Sequence, residues 1–146
     1  MLRFERVGDE VARRDWRAIH NLIILTAPLS AGEVAERAGR NRLEVAYLGE
    51  VAVGNSTVRA PSDGACVVIA RVLPEYRRRG FGELIFRRAL GSAREWGATT
   101  IGTVVLESND DGLRFAVKHG FAEVERYVLP GDTVPFIELR LAPGPG

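Results

Sequence analysis

The sequence predicts an α/β domain built on a mixed β-sheet with helices on both faces. An apolar, β-branched run at residues 65–73 indicates a buried strand, which Pro74 ends because proline cannot donate to a sheet ladder. A hairpin-rich segment precedes this run and a strand-helix-strand pattern follows it, and together these are typical of a mixed sheet. The predicted element order is β-α-α-β-β-β-α-β-α-β-β.

Composition predicts one globular domain over residues 1–141 and a disordered C-terminal tail over residues 142–146. The net charge of +1 provides no overall attraction to nucleic acid or an anionic membrane. Cys66 is the single cysteine, which excludes an internal disulfide and a cysteine-based zinc site. Residues 1–20 are charged throughout and no apolar run is long enough to span a bilayer, so we expect a cytoplasmic protein. Abundant arginine, alanine and glycine are typical of a high-GC bacterial genome.

The first half of the chain shows strand alternation and two helix-start signals. Asp9 is a candidate helix N-cap, and Ser30 with Glu33 has capping-box spacing. Gly54-Asn55 interrupts a strand pattern and predicts a bulge. The predicted elements are a strand at 2–7, a helix from 9 that Pro28 ends, a short helix from 30 to about 39, and a hairpin of strands 42–48 and 51–60.

The second half alternates strands and helices. The helix after residue 80 is expected to bury Phe81, Ile85, Ala89 and Trp96 beside Leu84 and Ala93, and to end at Gly97. The elements that follow are a strand at 99–106, a helix through 113–117 that Gly120 closes, a strand at 121–129, a turn at 130–132 and a last strand at 134–141.

A basic, glycine-containing loop joins the buried strand to the helix after it, with the sequence Arg77-Arg78-Arg79-Gly80-Phe81-Gly82. A helix start leaves backbone N–H groups without partners and carries partial positive charge. Glycines remove the side chains that would hold an anion away, and the arginines add full charge. The loop therefore predicts a phosphate site, and a pyrophosphate fits it best.

This loop resembles the [Gln/Arg]-x-x-Gly-x-[Gly/Ala] loop of the GNAT acetyltransferase superfamily, and Val72-x-Pro74 resembles the strand end before it. Asn109, Phe115 and Gly120-Phe121 resemble the family's later Asn…aromatic…Gly-Phe segment. The resemblance extends from Leu2 to about Leu141 and implies the GNAT-like acyl-CoA N-acyltransferase fold with acetyl-CoA as co-substrate and no metal. The cofactor-binding residues implied by the loop and the resemblance are Ala70, Arg71, Val72, Arg77, Arg78, Arg79, Gly80, Phe81, Gly82, Glu83, Asn109 and Phe115.

The resemblance implies an N-acetyltransferase that moves acetyl from acetyl-CoA to a primary amine of a small molecule or protein by direct attack on the thioester. A backbone N–H near Val72 would polarise the carbonyl if the strand is splayed there, as in the family. Many members use a tyrosine acid at the position that Ala116 occupies here, and the adjacent Phe115 has no hydroxyl. Because loss of a general acid lowers the rate by about 10²–10⁴-fold, a catalytically weak or inactive acyl-CoA-binding regulatory module is the alternative.

Two side chains are candidates for proton transfer. Glu107 follows a strand beside the expected cofactor and could act as a base through water, or it is an exposed charge before a turn. Tyr127 carries a hydroxyl, or it is a half-buried aromatic residue. His119 lies at a helix C-terminus, where its cation would complement the helix dipole, and His20 is expected on a helix face.

The acceptor amine has no readable signature in the sequence. In the family it is set by segments corresponding to residues 16–40 and 129–135, and the second helix and the hairpin are also candidates for a homodimer contact. A third hypothesis, from a different class, is anion or nucleic-acid binding, which would fall steeply with salt. It would use Arg77, Arg78, Arg79, Arg87 and Arg88.

Overall fold

The computed structural model describes residues 1–25 and 27–142, and these residues form seven strands and four α-helices. The predicted element order is confirmed, and an additional 3-10 turn at Pro74–Tyr76 was not predicted. The elements are β1 (Leu2–Arg6), α1 (Glu10–Ile23), α2 (Ala31–Arg40), β2 (Arg42–Leu48), β3 (Val51–Val58), β4 (Ala65–Val72), α3 (Phe81–Glu95), β5 (Thr100–Leu106), α4 (Asp110–Lys118), β6 (Phe121–Tyr127) and β7 (Phe136–Leu141).

The strands form one mixed sheet in the order β1-β2-β3-β4-β5-β7-β6. Only β4 and β5 pair in parallel, and every other neighbouring pair is antiparallel. Between β2 and β3 the register shifts, so that Ala46 faces Gly54 while Tyr47 faces Ala52. Val53 is therefore the extra residue of a bulge, which confirms the irregularity predicted next to Gly54.

Helices cover both faces of the sheet, as predicted. Successive residues of β2 point to opposite faces, so Val45 packs with α1 and α2 while Ala46 packs with α3. The α4 helix shares the α3 face, where Ala116 and Phe86 belong to one buried cluster with β4 to β7. The sheet is therefore the middle layer of a three-layer domain.

Side-chain caps fix the starts of α1 and α2, and the packing of Trp16 fixes the position of α1 on the sheet. The Asp9 side chain accepts from the N–H of Ala12, and Ser30 with Glu33 forms the predicted capping box. Trp16 is 1% exposed and its indole N–H donates to the carbonyl oxygen of Ser56 at 3.1 Å, so it anchors α1 in the core. The side-chain amide of Asn55 donates to the Trp16 carbonyl oxygen, so α1 is tied to β3 at two points.

One predicted core position on α3 is wrong. Leu84 is 50% exposed, whereas the adjacent Ile85 and Phe86 are buried under the sheet. The sequence pattern allows the buried face of α3 to include Ile85 with either Leu84 or Phe86. In the structure, the sheet lies against the face that contains Phe86. Trp96 at the end of this helix is half-buried under the guanidinium of Arg42, 4.3 Å from its ring centroid.

At the C-terminal end, Ala142 donates to the carbonyl oxygen of Gly120 at 3.1 Å, and residues 143–146 of the predicted tail lie outside the described residues. None of the helices in residues 1–25 and 27–142 is long and apolar enough to cross a membrane.

Candidate functional site

The two parallel strands at the centre of the sheet separate along their length. Pairing between β4 and β5 runs from Ala65 with Thr100 to Val67 with Gly102 and then stops. Both strands continue, β4 to Val72 and β5 to Leu106, while β5 pairs with β7 on its other side. A wedge-shaped gap therefore opens toward the carboxyl ends of β4 and β5.

Backbone groups of β4 face this gap. On the other edge of β4, Val67 accepts from the N–H of Arg59 and Leu73 donates to the carbonyl oxygen of Val53. In an antiparallel pair such groups alternate along the strand, so the N–H groups of Ala70 and Val72 point toward β5, where pairing has ended. The splay that the Val72 prediction required is therefore present.

The α3 helix begins beside the open end of the gap. Its N-cap Gly80 has φ +80° and no side chain of the described residues caps the helix, whereas α1, α2 and α4 each have a side-chain cap. Leu84 makes the first intrahelical bond, to the Gly80 carbonyl oxygen at 3.3 Å. The N–H groups of the first turn are thus left for a ligand, and this is the geometry that binds an anion.

The loop arginines have different surroundings. Arg77 donates from Nε to the Val72 carbonyl oxygen at 3.0 Å and lies 3.7 Å from a carboxylate oxygen of Asp111. Arg78 is exposed with φ +65°, and Arg79 places its guanidinium 5.5 Å from the ring centroid of Tyr76. Arg77 therefore fastens the loop to the end of β4, while Arg78 remains exposed beside the helix start.

A cavity of about 780 Å³ extends from the loop between the splayed strands to α1 and α2. This size suits the arm of a cofactor together with a small second ligand. Arg79 and Phe81 do not line it, and Phe81 instead packs beside Ile85. The predicted cofactor residues that do line it are Ala70, Arg71, Val72, Arg77, Arg78, Gly80, Gly82, Glu83, Asn109 and Phe115.

The α4 helix forms one wall of the cavity. Asn109 is its N-cap and accepts from the Gly112 N–H at 3.0 Å, which leaves the side-chain nitrogen to donate elsewhere. Phe115 and Ala116 both line the wall, and Ala116 is 3% exposed. His119 also lines the cavity, and its buried Nε2 atom has no hydrogen-bond partner among the described residues. The His119 and Phe115 ring centroids are 4.4 Å apart. The sequence analysis did not predict that His119 lies in the cavity.

The two proton-transfer candidates lie in different places. Tyr127 lines the cavity and stacks on Phe136, with ring centroids 5.8 Å apart. Glu107 is exposed outside the cavity lining and forms a 2.8 Å ion pair with Arg126. This placement favours the exposed-charge interpretation of Glu107, and its role as a base stays a prediction.

The far end of the cavity holds residues that sequence reasoning did not select for chemistry. His20 is buried, stacks on Trp16 and lines this end. Burial, together with the positive charge of Arg71, lowers the pKa of His20 to about 4, so the ring is neutral at pH 7. Arg37 and Arg59 join Arg71 here. The available signal was a charged Arg71 inside an apolar strand, since arginine is seldom buried without a partner.

Three of the five basic residues that motivated the nucleic-acid hypothesis lie against carboxylates, whereas Arg78 and Arg79 are exposed and form no ion pair among the described residues. Arg77 lies near Asp111, Arg87 pairs with Glu83, and Arg88 makes two hydrogen bonds to Glu44. In the described part of the chain there is also no group of three or more His, Cys, Asp or Glu side chains that could hold a metal.

Comparison with known proteins gives a consistent result. The sequence profile of the acetyltransferase (GNAT) family matches residues 16–121. No curated protein matches the sequence significantly. Many solved structures resemble it, and three of them match it over nearly the whole length of both chains; each of the three is below 25% identity, so the likeness shows the fold alone.

The first is a protein provisionally named a phosphinothricin N-acetyltransferase, with TM-score 0.80, 19% identity, and coverage of 97% of this chain and 98% of that one. The second is yncA from Salmonella typhimurium, solved with its cofactor acetyl-CoA, with TM-score 0.73, 16% identity, and coverage of 96% and 92%. The third is the ribosomal-protein-S18-alanine N-acetyltransferase from Escherichia coli, with TM-score 0.77, 16% identity, and coverage of 97% and 93%.

The family profile covers well over half of the chain, and the splayed parallel strands and uncapped helix start agree with it. The chain therefore belongs to the acetyltransferase (GNAT) family.

Proposed function

We propose that this protein transfers acetyl from acetyl-CoA to the primary amine of a small molecule or protein. The observation that supports this most is the gap between β4 and β5, which leads directly to the uncapped start of α3. A pyrophosphate at the helix start would place a long, narrow cofactor arm along β4. The residues present therefore fit acetyl-CoA.

Each part of the cofactor would meet a different group of the chain. The first-turn N–H groups of α3 and the exposed Arg78 would bind the pyrophosphate. The side-chain nitrogen of Asn109 would donate to the cofactor, and Phe115 would cover it. The N–H groups of Ala70 and Val72 would donate to the arm and to the thioester oxygen, where negative charge develops during transfer.

Acetyl-CoA, when bound, supplies a thioester whose carbonyl carbon forms a bond to the amine nitrogen as the carbon–sulfur bond breaks. The ammonium must first lose one proton, and the nitrogen loses a second that ends on the CoA sulfur. Of the two candidates for proton transfer, Tyr127 lines the cavity and Glu107, the candidate base, lies outside its lining. Thiol release by Tyr127→Phe and Glu107→Gln tests these roles, and an unchanged rate in either variant rejects that residue.

A second candidate function is an acyl-CoA-binding regulatory module with weak or no turnover. Ala116, at the position of the family's usual tyrosine acid, is the observation that favours it. A thiolate with a pKa near 8.5 leaves tolerably without an acid, so we rank transfer first. Saturable acetyl-CoA binding with no release of CoA across a broad amine panel would instead support the module.

Calorimetric titration with acetyl-CoA tests the shared premise. We expect Gly80→Glu to abolish binding, because a side chain and a negative charge would stand at the helix start. Gly97→Glu is the matched control, since Gly97 also has positive φ and open space, at the other end of α3. No binding by the wild type, or equal affinity in Gly80→Glu and wild type, would contradict the proposal.

A further inference from the structure

Three arginines converge on the end of the cavity formed by α1 and α2. Arg37 comes from α2, Arg59 follows β3, and Arg71 lies on β4, and all three line the cavity. We call them the arginine cluster. In the described part of the chain none of them has a carboxylate oxygen within the 4.0 Å of an ion pair.

Arg71 is the central member. Asn55 is its register partner on β3 and contacts α1, so the Arg71 side chain lies on the α1 face of the sheet. Its Nη1 atom is buried and has no hydrogen-bond partner among the described residues. A guanidinium has five N–H donors, and a buried donor without a partner is costly.

The positive charges of the three arginines repel one another. Burial, and then the charges of Arg59 and Arg37, lower the pKa of Arg71 to about 10. Burial also lowers the pKa of Arg59, with Tyr127 and Glu138 acting in the opposite direction. Both guanidiniums remain protonated at pH 7, so the cluster keeps a concentrated positive charge.

Two carboxylates, Glu33 and Glu138, interact with the charge of the cluster, but neither forms an ion pair with it among the described residues. The nearby His20 is uncharged at pH 7. Glu33 lines the same end, and its ionised carboxylate accepts from the backbone N–H of Ser30 in the capping box rather than pairing with Arg37. An arrangement of this kind is stabilised when an anion enters, because guanidinium groups bind carboxylates and phosphonates through paired hydrogen bonds.

We propose that the acceptor is a small amine that itself carries an oxyanion, a carboxylate or a phosphonate, which the arginine cluster binds. This rests on the proposed acetyl transfer. The chemistry is the same as that of the proposed function, with attack by the amine nitrogen and release of CoA thiol. Positive charge beside the amine also favours its neutral, nucleophilic form. A protein lysine side chain lacks such an oxyanion on its amine-bearing arm.

The probes are the standard α-amino acids, their carboxamides, and aminoalkylphosphonates. Thiol release and calorimetry on the acetyl-CoA-saturated protein are measured with each. We expect at least one carboxylate or phosphonate amine to bind and react at least about tenfold better in kcat/KM than its uncharged counterpart. The two oxyanion series show which group the cluster prefers.

Variants connect the preference to the cluster. We expect Arg71→Gln and Arg37→Gln to raise KM for the anionic amine by about 30-fold or more, with a smaller change in kcat. Arg94→Gln is the matched control, because Arg94 is exposed on α3 outside the cavity and should change neither value. The Tm of Arg71→Gln should equal or exceed that of wild type, since a charged group whose buried Nη1 atom has no partner among the described residues is removed. A purely structural Arg71 would instead lower Tm without altering the preference.

The outcomes separate the two proposals. If acetyl-CoA does not bind, the proposed function fails. If acetyl-CoA binds and amines react without preference for the oxyanion, only the acceptor proposal fails. If acetyl-CoA binds and no probe binds or reacts, the acceptor proposal is also overturned. Preference for an anionic amine that survives Arg71→Gln and Arg37→Gln would show that the cluster is not its binding site.

Discussion

Gly54 is the position where one methyl group should disturb both the core and the site. A Cβ built there would lie 2.5 Å from the Arg71 carbonyl oxygen and 2.7 Å from Cδ1 of Ile85. Ile85 is 1% exposed, and the Arg71 oxygen belongs to the backbone of β4, so neither atom can withdraw freely. Overpacking of this kind costs about 1–3 kcal/mol. Because two contacts are shorter than 3.0 Å, we expect Gly54→Ala to lose stability near the upper end of this range.

At about 2–4 °C per kcal/mol for a chain of this size, a loss of about 3 kcal/mol lowers Tm by about 6–12 °C. Calorimetric or fluorescence-detected unfolding measures this shift. Gly91→Ala is the control, since Gly91 lies within α3 with nothing within 4 Å of its built Cβ. Removing a helical glycine should stabilise the protein by about 0.5–1 kcal/mol. A Tm for Gly54→Ala at or above that of wild type would refute the packing argument.

Two further predictions concern Asn109 and His20. Asn109→Asp keeps an oxygen that caps α4, so its Tm should stay near that of wild type. Loss of the side-chain nitrogen should weaken acetyl-CoA binding, which calorimetry measures. Asn109→Ala should weaken binding and, because the cap is lost, should also lower the free energy of unfolding by about 1 kcal/mol. Unchanged affinity in Asn109→Asp would reject the proposed contact. His20 has a pKa lowered from 6.5 to about 4 by burial and then Arg71, so the unfolded state binds a proton that the folded state does not between these values. The contribution of neutral His20 to the free energy of unfolding should therefore be fully present above pH 6.5 and fall by about 3 kcal/mol as the pH drops to 4. In urea unfolding, His20→Gln should reduce this dependence of the free energy of unfolding on pH. Equal slopes in the two proteins would mean that His20 is not the cause.

The predictions that succeeded rest on interactions between residues close in sequence. The Asp9 cap and the Ser30 capping box are satisfied within three residues, and both were predicted correctly. The interpretation of the loop before α3 as an anion site also rests on local features, a helix start and its glycines, and it stays a prediction. The order of the elements followed from hydrophobic periodicity.

Two contacts that the sequence did not indicate depend on how the elements pack in space. Whether Leu84 or Phe86 faces the sheet is decided by how α3 packs on it, and the sequence pattern alone did not favour the correct side. The ion pair of Glu107 with Arg126 joins residues 19 positions apart, and the role of Glu107 as a base stays a prediction. Neither contact has a signature in the local sequence.

The amino-acid sequence by itself determined the elements, their order and the basic glycine loop before α3, because backbone hydrogen bonding, caps and turns depend on neighbouring residues. The tertiary structure alone decided that β4 and β5 separate after Val67 and that Arg37, Arg59 and Arg71 meet in one cavity. Those features depend on long-range packing of the sheet against α1 and α2, which brings together charges that lie far apart along the chain.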